Sequence, residues 1–274
     1  MDKLKRNERI GALMNILTDN PNTIFTYNYF NEKFDAAKST ISEDIVIVKK
    51  LVTKLKLGDI ETLSGVSGGV RYLPILDNEQ IMDFTNKMCK NLSQGNRVIA
   101  GGFIYMIDLL YSPDLVYNIG KIFYSIFSKK EIDYIITVET KGIPIALMTA
   151  KVFNKPLIII RKDAKITEGP TVSINYVSGS TRKIQTMSLA RKAMKEGSKI
   201  LVIDDFMRAG GTVKGIYDMM KEFNAEVVGT GILISTEHPE EKVVDDYVSL
   251  LTLKNIDEIA KNVEITANNN IFID

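Results

Sequence analysis

Apolar residues recur at helical spacing through the first part of the chain. The pattern predicts a helix from Asn7 to Thr18, a short helix from about Thr26 to Phe34, and a third helix that begins after Ala37 and ends near Gly58. Ser39 and Thr40 suit the N-cap of the third helix, because their hydroxyls can accept hydrogen bonds from its first turn. The side chains expected to face inward from the second and third helices are Tyr29, Phe30, Phe34, Ile41, Ile45, Val48, Val52 and Leu55.

Two short extended segments follow the third helix and surround a glycine-rich loop. Ile60–Leu63 and Val70–Leu73 flank the loop from Ser64 to Gly69, which is typical of a β-hairpin. Three helices followed by a hairpin predict a winged helix, and Pro74 marks its end. We therefore expect an N-terminal winged-helix domain at residues 1–74 and a second domain at residues 75–274.

In the second domain, apolar strands alternate with amphipathic helices. Short, continuously apolar strands between helices are typical of parallel sheets buried on both faces, so the fold class is α/β with a mostly parallel sheet. Polar alternation over residues 171–177 predicts a long exposed hairpin that leaves the sheet. The predicted strands are Arg97–Ala100, Tyr134–Val138, Leu157–Ile160, Lys199–Ile203, Glu226–Leu233 and Tyr247–Leu251, and the predicted helices are Asn78–Leu92, Pro113–Phe127, Ile143–Phe153 and Thr212–Phe223.

Charge and composition exclude some classes of chemistry. The net charge is +1, which neither requires nor excludes nucleic acid as a partner. Cys89 and His238 are the only residues of their types, which excludes an intramolecular disulfide and a thiolate or histidine-rich metal site. We expect Cys89 to be buried on a helix and His238 to be exposed. No segment has the ~18 apolar residues of a membrane span, and the first residues lack the apolar run of a signal peptide, so we expect a reduced, cytoplasmic compartment.

The segment Val202–Thr212, VIDDFMRAGGT, carries the clearest chemical pattern. An apolar strand delivers the carboxylates of Asp204 and Asp205, and Gly210-Gly211 then leads into a helix. Glycines let backbone N–H groups surround a phosphate, and the helix N-terminus adds its positive dipole end. Carboxylates at the carboxyl end of a strand can accept hydrogen bonds from ribose hydroxyls. The segment resembles the signature of type I phosphoribosyltransferases and predicts a site for phosphoribosyl diphosphate (PRPP), with simple turn chemistry as the alternative.

Other strand ends add candidates for the same site. Thr140-Lys141-Gly142 follows a predicted strand, where the resembling family has its diphosphate loop; a plain turn is the alternative. Arg161 follows the next strand and would contact phosphate or base, unless it is an ordinary surface arginine. Phe103 or Phe206 would stack on a purine, unless both belong to the core. Mg²⁺ is expected to be carried on the diphosphate, and we predict neither a protein metal site nor a required cofactor. The effector-binding candidates are Asp204, Asp205, Phe206, Arg208, Ala209, Gly210, Gly211, Thr212, Thr140, Lys141, Gly142, Arg161 and Phe103.

The predicted third helix would enter the major groove of DNA. Polar and basic residues at its start would reach base edges and phosphates, while a basic N-terminal arm and the hairpin would contact the backbone. A winged helix used for dimerisation or protein interaction is the alternative. The DNA-binding candidates are Lys5, Arg6, Lys38, Ser39, Thr40, Ser42, Lys49 and Arg71.

Across essentially all 274 residues the chain resembles the Gram-positive-type purine operon repressors. The resemblance rests on the segments Ala36–Ile45, Ser67–Pro74, Thr140–Ala146, Thr171–Arg191 and Val202–Thr212. It implies a winged helix joined to a phosphoribosyltransferase-like effector domain, in a homodimer that binds double-stranded operator DNA. It further implies repression of purine biosynthesis and transport genes until PRPP rises, and guanosine tetraphosphate as a corepressor in the same pocket.

The same resemblance implies a protein without catalytic residues. In adenine phosphoribosyltransferases, which the second domain also resembles, the long hairpin carries a Tyr-x-x-Glu segment near the reaction centre. Here Tyr176 is followed by Gly179 where the glutamate would fall. Loss of that acid/base group argues against efficient transfer chemistry. An active purine phosphoribosyltransferase with an accessory N-terminal domain is the main alternative, and an RNA-linked regulator is a weaker one.

Overall fold

A computed structural model describes residues 3–65, 68–163, 169–177 and 183–271, except for the side chain of Asn270. Contacts divide the chain into two compact units, one of residues 1–77 with 151–154 and the other of residues 78–150 with 155–274. Within the described ranges, none of the helices combines the length and the apolar character that crossing a bilayer requires.

The first unit consists of three helices and an antiparallel pair of strands. The pairing places Asp59 opposite Leu73 and Leu63 opposite Gly69. The predicted helices and hairpin are confirmed, in the order expected for a winged helix. Val66 and Ser67, which belong to the predicted hairpin loop, lie outside the described residues. The elements are α1 Arg6–Asp19, α2 Tyr27–Phe34, α3 Lys38–Lys54, β1 Asp59–Leu63 and β2 Gly69–Leu73.

The core of the first unit draws apolar side chains from all five elements. Two residues predicted to be buried are not: Tyr29 is 38% exposed and Leu55, which follows the last turn of α3, is 55% exposed. The prediction that Ser39 and Thr40 cap α3 is also wrong, because Ala37 is the N-cap residue and both hydroxyl residues lie inside the first turn. The fully buried residues include Leu13, Leu17, Phe30, Ile41, Val48, Val52, Ile60 and Val70.

The remainder of the chain alternates helices and strands. The predicted helices at 78–92, 113–127 and 143–153 are confirmed with their bounds, and the fourth is shifted slightly, to 211–221. The helices are α4 Asn78–Leu92, α5 Ile107–Leu110, α6 Pro113–Phe127, α7 Ile143–Phe153 and α8 Gly211–Lys221. The strands are β3 Val98–Ile99, β4 Phe103–Ile104, β5 Tyr134–Val138, β6 Leu157–Ile160, β7 Thr171–Val177, β8 Ile184–Ala190, β9 Lys199–Met207, β10 Glu226–Thr236, β11 Val248–Asp257 and β12 Asn262–Ala267.

Six strands form the main sheet in the order β12-β11-β10-β9-β5-β6. All neighbouring pairs from β11 to β6 are parallel, and β12 joins the edge antiparallel to β11. This arrangement confirms the predicted α/β class and the mostly parallel sheet. Because the strands from β11 to β6 run the same way, their carboxyl ends meet at one edge, where ligands of open α/β sheets bind.

The predicted strand Arg97–Ala100 is wrong as a member of the main sheet. Residues 95–97 form a short 3-10 turn, and only Val98–Ile99 are extended, paired with Phe103–Ile104 in a separate small sheet. Gly101 and Gly102 have φ values of +89° and +71°, so the chain reverses there. Arg97 holds this small sheet in place, since its guanidinium donates to Asp108 at 2.8 and 3.0 Å and to Asn91 Oδ1 at 2.7 Å.

The long hairpin is confirmed as β7 and β8, but it is less exposed than predicted. One face packs against α8, with Val172, Tyr176, Met187 and Leu189 buried. A Cβ on Gly215 of α8 would lie 3.0 Å from the Cβ of Tyr176, so the hairpin approaches the helix closely at this glycine. Residues 178–182, including Gly179, lie outside the described residues.

Candidate functional site

Asp204 and Asp205 lie near the end of β9, which is longer than predicted and continues past them to Met207. Both are buried, with 7% and 9% of their surface exposed. Burial raises the pKa of both carboxyl groups; the negative charge of Asp205 raises that of Asp204 further, whereas the positive charge of Lys141 acts to lower that of Asp205. Two acidic groups out of water at the ligand-binding edge of the sheet favour a ligand that brings hydrogen-bond donors.

The loop that follows β9 enters α8 through Gly210. This residue is the N-cap and has left-handed backbone angles, with φ +85° and ψ 5°. A Cβ at this position would lie 2.8 Å from Cγ2 of Val244, so a side chain would be strained and would also clash. The backbone N–H of Val243 donates to the carbonyl of Ala209 at 3.0 Å and fixes the loop from its other side. The first-turn N–H groups of α8 are available for an anion.

Gly142 brings the loop after β5 against the acid pair. A Cβ at this glycine would lie 2.5 Å from Oγ1 of Thr137 and 2.7 Å from Oδ1 of Asp204. Only glycine permits so close an approach, and the preceding Thr140 and Lys141 are exposed. The candidates at 140–142 and at 204–205 therefore lie together, as the sequence predicted for neighbouring strand ends.

Arg161 lies at the end of β6 and contacts a carboxylate. Its Nη1 is 3.2 Å from Oε2 of Glu139, the residue that follows β5. The other oxygen of Glu139 accepts a hydrogen bond from the backbone N–H of Lys162 at 2.7 Å. The backbone of Arg161 is also fixed, because it exchanges hydrogen bonds with Ser188 of β8. Sequence reasoning placed Arg161 at the site but did not find Glu139.

Tyr176 of the hairpin also belongs to this group of residues. Its hydroxyl donates to Gln185 at 2.8 Å, and it lies close enough to Thr212 and Asp204 for both to affect its pKa. Burial raises that pKa above the ordinary tyrosine value, while the nearby Thr212 hydroxyl opposes the rise. Thr212, predicted as a phosphate donor, therefore lies beside Tyr176 in the first turn of α8.

The aromatic candidates are placed outside the core. Phe103 is 64% exposed on the small β3–β4 sheet, and Phe206 is 37% exposed between the two carboxylates and the loop. Arg208 is exposed on the loop itself. Among the described residues, no group of three or more His, Cys, Asp or Glu side chains is arranged to hold a metal ion.

The single histidine and the single cysteine of the chain are predicted to have no part in the site. His238 is exposed, as predicted. Cys89 is half-buried on α4, not fully buried, and burial raises the pKa of its thiol to about 11.

In the first unit, several basic candidates for DNA contact are engaged in ion pairs. Arg6 lies 3.5 Å from Glu43 and 3.4 Å from Asp44, Lys49 lies 3.6 Å from Asp59, and Arg71 pairs with Glu61. Lys38 lies over the ring of Tyr27 at 5.8 Å. Lys5 and Ser39 are exposed, while Thr40 and Ser42 are partly buried in the first turns of α3.

Asp44 and Arg9 form a buried ion pair that sequence reasoning missed. Asp44 has no exposed surface and Arg9 is 8% exposed, and the two side chains meet at 2.8 Å. Arg9 also donates to the carbonyl of Leu4 at 2.9 Å. The pair connects α1 to α3 and so fixes the orientation of α3. The sequence gives little indication of this pair, because charged residues in an amphipathic helix are usually exposed, and Asp44 and Arg9 look like ordinary surface residues.

Known protein families match each of the two units separately. The family model "Bacterial purine repressor, N-terminal" matches residues 5–74, and the model "Phosphoribosyl transferase domain" matches residues 108–268. The fold is similar to that of adenine phosphoribosyltransferase from Rhodothermus marinus, with a TM-score of 0.52, 19% identity, and coverage of 62% of this chain and 99% of that chain. The two family models and the fold therefore define a phosphoribosyltransferase-type domain preceded by a purine-repressor N-terminal domain.

The full-length relatives place the chain more narrowly. It is 44% identical over 267 residues to the purine biosynthesis transcriptional repressor PurR of Bacillus subtilis, covering 97% of this chain and 94% of the relative. It is 34% identical over 271 residues to the purine biosynthesis transcriptional activator PurR of Lactococcus lactis, covering 99% of this chain and 100% of that relative. It is also 32% identical over 179 residues to a xanthine phosphoribosyltransferase of Lactococcus lactis, covering 63% of this chain and 91% of the enzyme. The chain belongs to the bacterial purine repressor family.

Proposed function

We propose that this protein is a transcriptional repressor of purine biosynthesis and transport genes that releases operator DNA when its second unit binds PRPP. Family membership supports the regulatory role, and the relative named a repressor is more similar to this chain than the relative named an activator, at 44% against 34% identity. The observation that carries the ligand assignment is the contact of Gly142 with Asp204, which joins the two predicted phosphate and ribose loops at one sheet edge.

Each part of PRPP has a matching group in the second unit. The acid pair accepts hydrogen bonds from the ribose hydroxyls, and the loop from Arg208 to Gly211 surrounds the 5′-phosphate with backbone N–H groups. The loop Thr140–Gly142 receives the diphosphate, with Lys141 supplying positive charge. Mg²⁺ is carried on the diphosphate oxygens and not by a protein cage. Guanosine tetraphosphate also carries phosphate groups at two positions of a ribose, and Phe103 and Phe206 offer exposed rings for its base.

DNA binding is assigned to the first unit of the chain. The exposed start of α3, with Lys38 and Ser39, supplies contacts to bases and phosphates, and Lys5 adds an exposed charge. We further propose a homodimer, because two copies of one recognition helix match the two half-sites of a symmetric operator. The ion pairs of Arg6, Lys49 and Arg71 reduce the charge that these residues offer to phosphate.

The proposal is tested by a mobility shift on a purine-gene promoter with and without PRPP and Mg²⁺. PRPP should weaken binding of the wild-type chain, whereas the double variant Asp204→Ala, Asp205→Ala should bind DNA and ignore PRPP. A shift that PRPP leaves unchanged at every salt concentration would reject the proposal. A promoter–reporter fusion in cells separates repression from activation, because loss of the protein should raise transcription.

The alternative is an active purine phosphoribosyltransferase, favoured by the similarity to a xanthine phosphoribosyltransferase. It predicts release of diphosphate when the chain is mixed with PRPP and a purine base. We expect no turnover with adenine, guanine, hypoxanthine or xanthine, and steady diphosphate release with any one of them would establish the enzyme.

A further inference from the structure

We infer that Glu139 lowers the affinity of the phosphate site for its ligand, because its carboxylate occupies Arg161 and adds a negative charge to the proposed diphosphate loop. The inference rests on the proposed function and deepens it by naming a residue that sets the ligand concentration at which the protein responds.

Glu139 connects the carboxyl ends of two neighbouring strands. It follows β5, and both of its partners follow β6, which pairs with β5 in parallel. Oε2 lies 3.2 Å from Nη1 of Arg161, and Oε1 accepts from the backbone N–H of Lys162 at 2.7 Å. The side chain of Glu139 is 20% exposed and that of Arg161 is 31% exposed. A partly buried pair of this kind is screened by salt less than an exposed one.

The groups that hold Glu139 are those that a phosphate oxygen binds. A guanidinium and a backbone N–H together form a typical oxyanion site, and here a carboxylate of the chain fills it. Thr140, Lys141 and Gly142 come directly after Glu139, so a diphosphate bound to this loop would lie beside the carboxylate. A bound diphosphate must therefore either displace the Glu139 carboxylate from Arg161 or lie close to that carboxylate and be repelled by its negative charge.

The electrostatic cost has a predictable size. Two like charges about 5 Å apart at a partly buried site repel strongly enough to change an affinity by about tenfold or more. Glu139→Gln removes the charge and keeps an oxygen that can accept from Lys162 N–H, so the backbone contact should survive. The variant should therefore bind a diphosphate ligand more tightly and respond at a lower concentration.

The test is isothermal titration calorimetry on the full chain with two probes, PRPP with Mg²⁺ and inorganic diphosphate with Mg²⁺. We expect E139Q to bind both probes about tenfold more tightly than wild type. The matched control is Glu131→Gln, which breaks the ion pair of Glu131 with Lys199 at 2.5 Å. Lys199 begins β9, so this pair lies at the opposite end of the strand from Asp204, and E131Q should stay within twofold of wild type.

A double-variant cycle tests whether Glu139 acts through Arg161. R161Q alone should weaken binding, and the gain from E139Q should fall to about threefold or less in the R161Q background. Thermal unfolding checks that each variant folds. If E139Q does not fold, Glu139→Ala is used in its place.

Equal or weaker binding by E139Q overturns the inference, as does an equal gain in E131Q. A full gain in the R161Q background overturns the part played by Arg161. If wild type binds a probe and E139Q gains nothing, the inference fails while the proposed function stands. If neither wild type nor E139Q binds either probe, the phosphate site fails and the ligand assignment fails with it.

Discussion

The carboxyl groups of Asp204 and Asp205 lie at positions where apolar side chains would stabilise the sheet. Both are buried, and burial raises the pKa of both. A group whose pKa is higher in the folded than in the unfolded state costs stability once the pH rises above its ordinary value. At neutral pH the acid pair therefore lowers the stability of the fold, and a ligand that donates hydrogen bonds to it should recover part of that cost.

Replacing one carboxylate should reveal this cost. Asp204→Asn keeps an oxygen that can accept from Asp205 N–H but cannot ionise. We expect it to raise the melting temperature at pH 7 by a few degrees, since about 1 kcal/mol corresponds to roughly 2–4 °C in a domain of this size. The gain should shrink as the pH falls towards 4, the ordinary range for aspartate. Calorimetry from pH 4 to pH 8 measures it, and a difference that is constant with pH would contradict the linkage.

Gly142 is the position at which adding a side chain should weaken ligand binding most. Gly142→Ala places a Cβ within 2.5 Å of Thr137 Oγ1 and 2.7 Å of Asp204 Oδ1, so the loop or the carboxylate must move. We expect PRPP affinity to fall by about tenfold or more, because the loops no longer match the ligand. Gly11→Ala is the control, since a Cβ there meets nothing within 4 Å. Calorimetric titration of both variants with PRPP would refute the close-packing argument if G142A matched wild type.

Residue types drew attention to the loops after β5 and β9, because glycines and paired carboxylates in this order have few other uses, and phosphate binding by these loops stays a prediction. The partners of charged residues could not be predicted in the same way. Glu139 meets Arg161 only because β5 and β6 are neighbours in the sheet, which no local pattern specifies. The basic DNA-binding candidates were likewise chosen for charge, and the ion pairs of Arg6, Lys49 and Arg71 depend on the packing of α1, α3 and the hairpin.

At the scale of elements, the long helices and the buried strands β5 and β6 were predicted with their bounds, whereas the segment at Arg97 and the edge strand β12 were not. Helices α4, α6 and α7 have the bounds that their periodicity predicts, because one apolar face extends through three or more turns. The strand at Arg97 was wrong because two positive-φ glycines, Gly101 and Gly102, turn the chain back on itself. Strand β12 was missed because every second residue is exposed at the sheet edge, which lowers its apolar signal.

The buried pair of Asp44 and Arg9 should dominate the stability of the first unit. Asp44→Ala leaves the guanidinium of Arg9 buried without its carboxylate, a change that typically costs about 3–5 kcal/mol. Glu43→Ala is the control on the next residue of α3, and its exposed pair with Arg6 should be worth about 0–1 kcal/mol. Hydrogen exchange of amides in residues 6–54 measures both effects. Equal protection in the two variants would show that the buried pair contributes little.

At the scale of the whole molecule, the proposed function requires that PRPP binding and DNA binding be coupled. A ligand changes DNA affinity only if it binds the free and the DNA-bound protein with different affinities. The coupling is reciprocal, so the factor by which PRPP weakens DNA binding must equal the factor by which DNA weakens PRPP binding. Salt must be held constant in both titrations, because phosphate contacts make DNA affinity depend steeply on ionic strength.

The most direct test is therefore fluorescence anisotropy of labelled purine-operator DNA, titrated with the protein at one salt concentration with and without saturating PRPP and Mg²⁺. We expect PRPP to raise the dissociation constant about tenfold or more, and we expect this shift to vanish in the Asp204→Ala, Asp205→Ala double variant. The same dissociation constant with and without PRPP, or an equal shift in the double variant, would contradict release of DNA by PRPP bound at the acid pair.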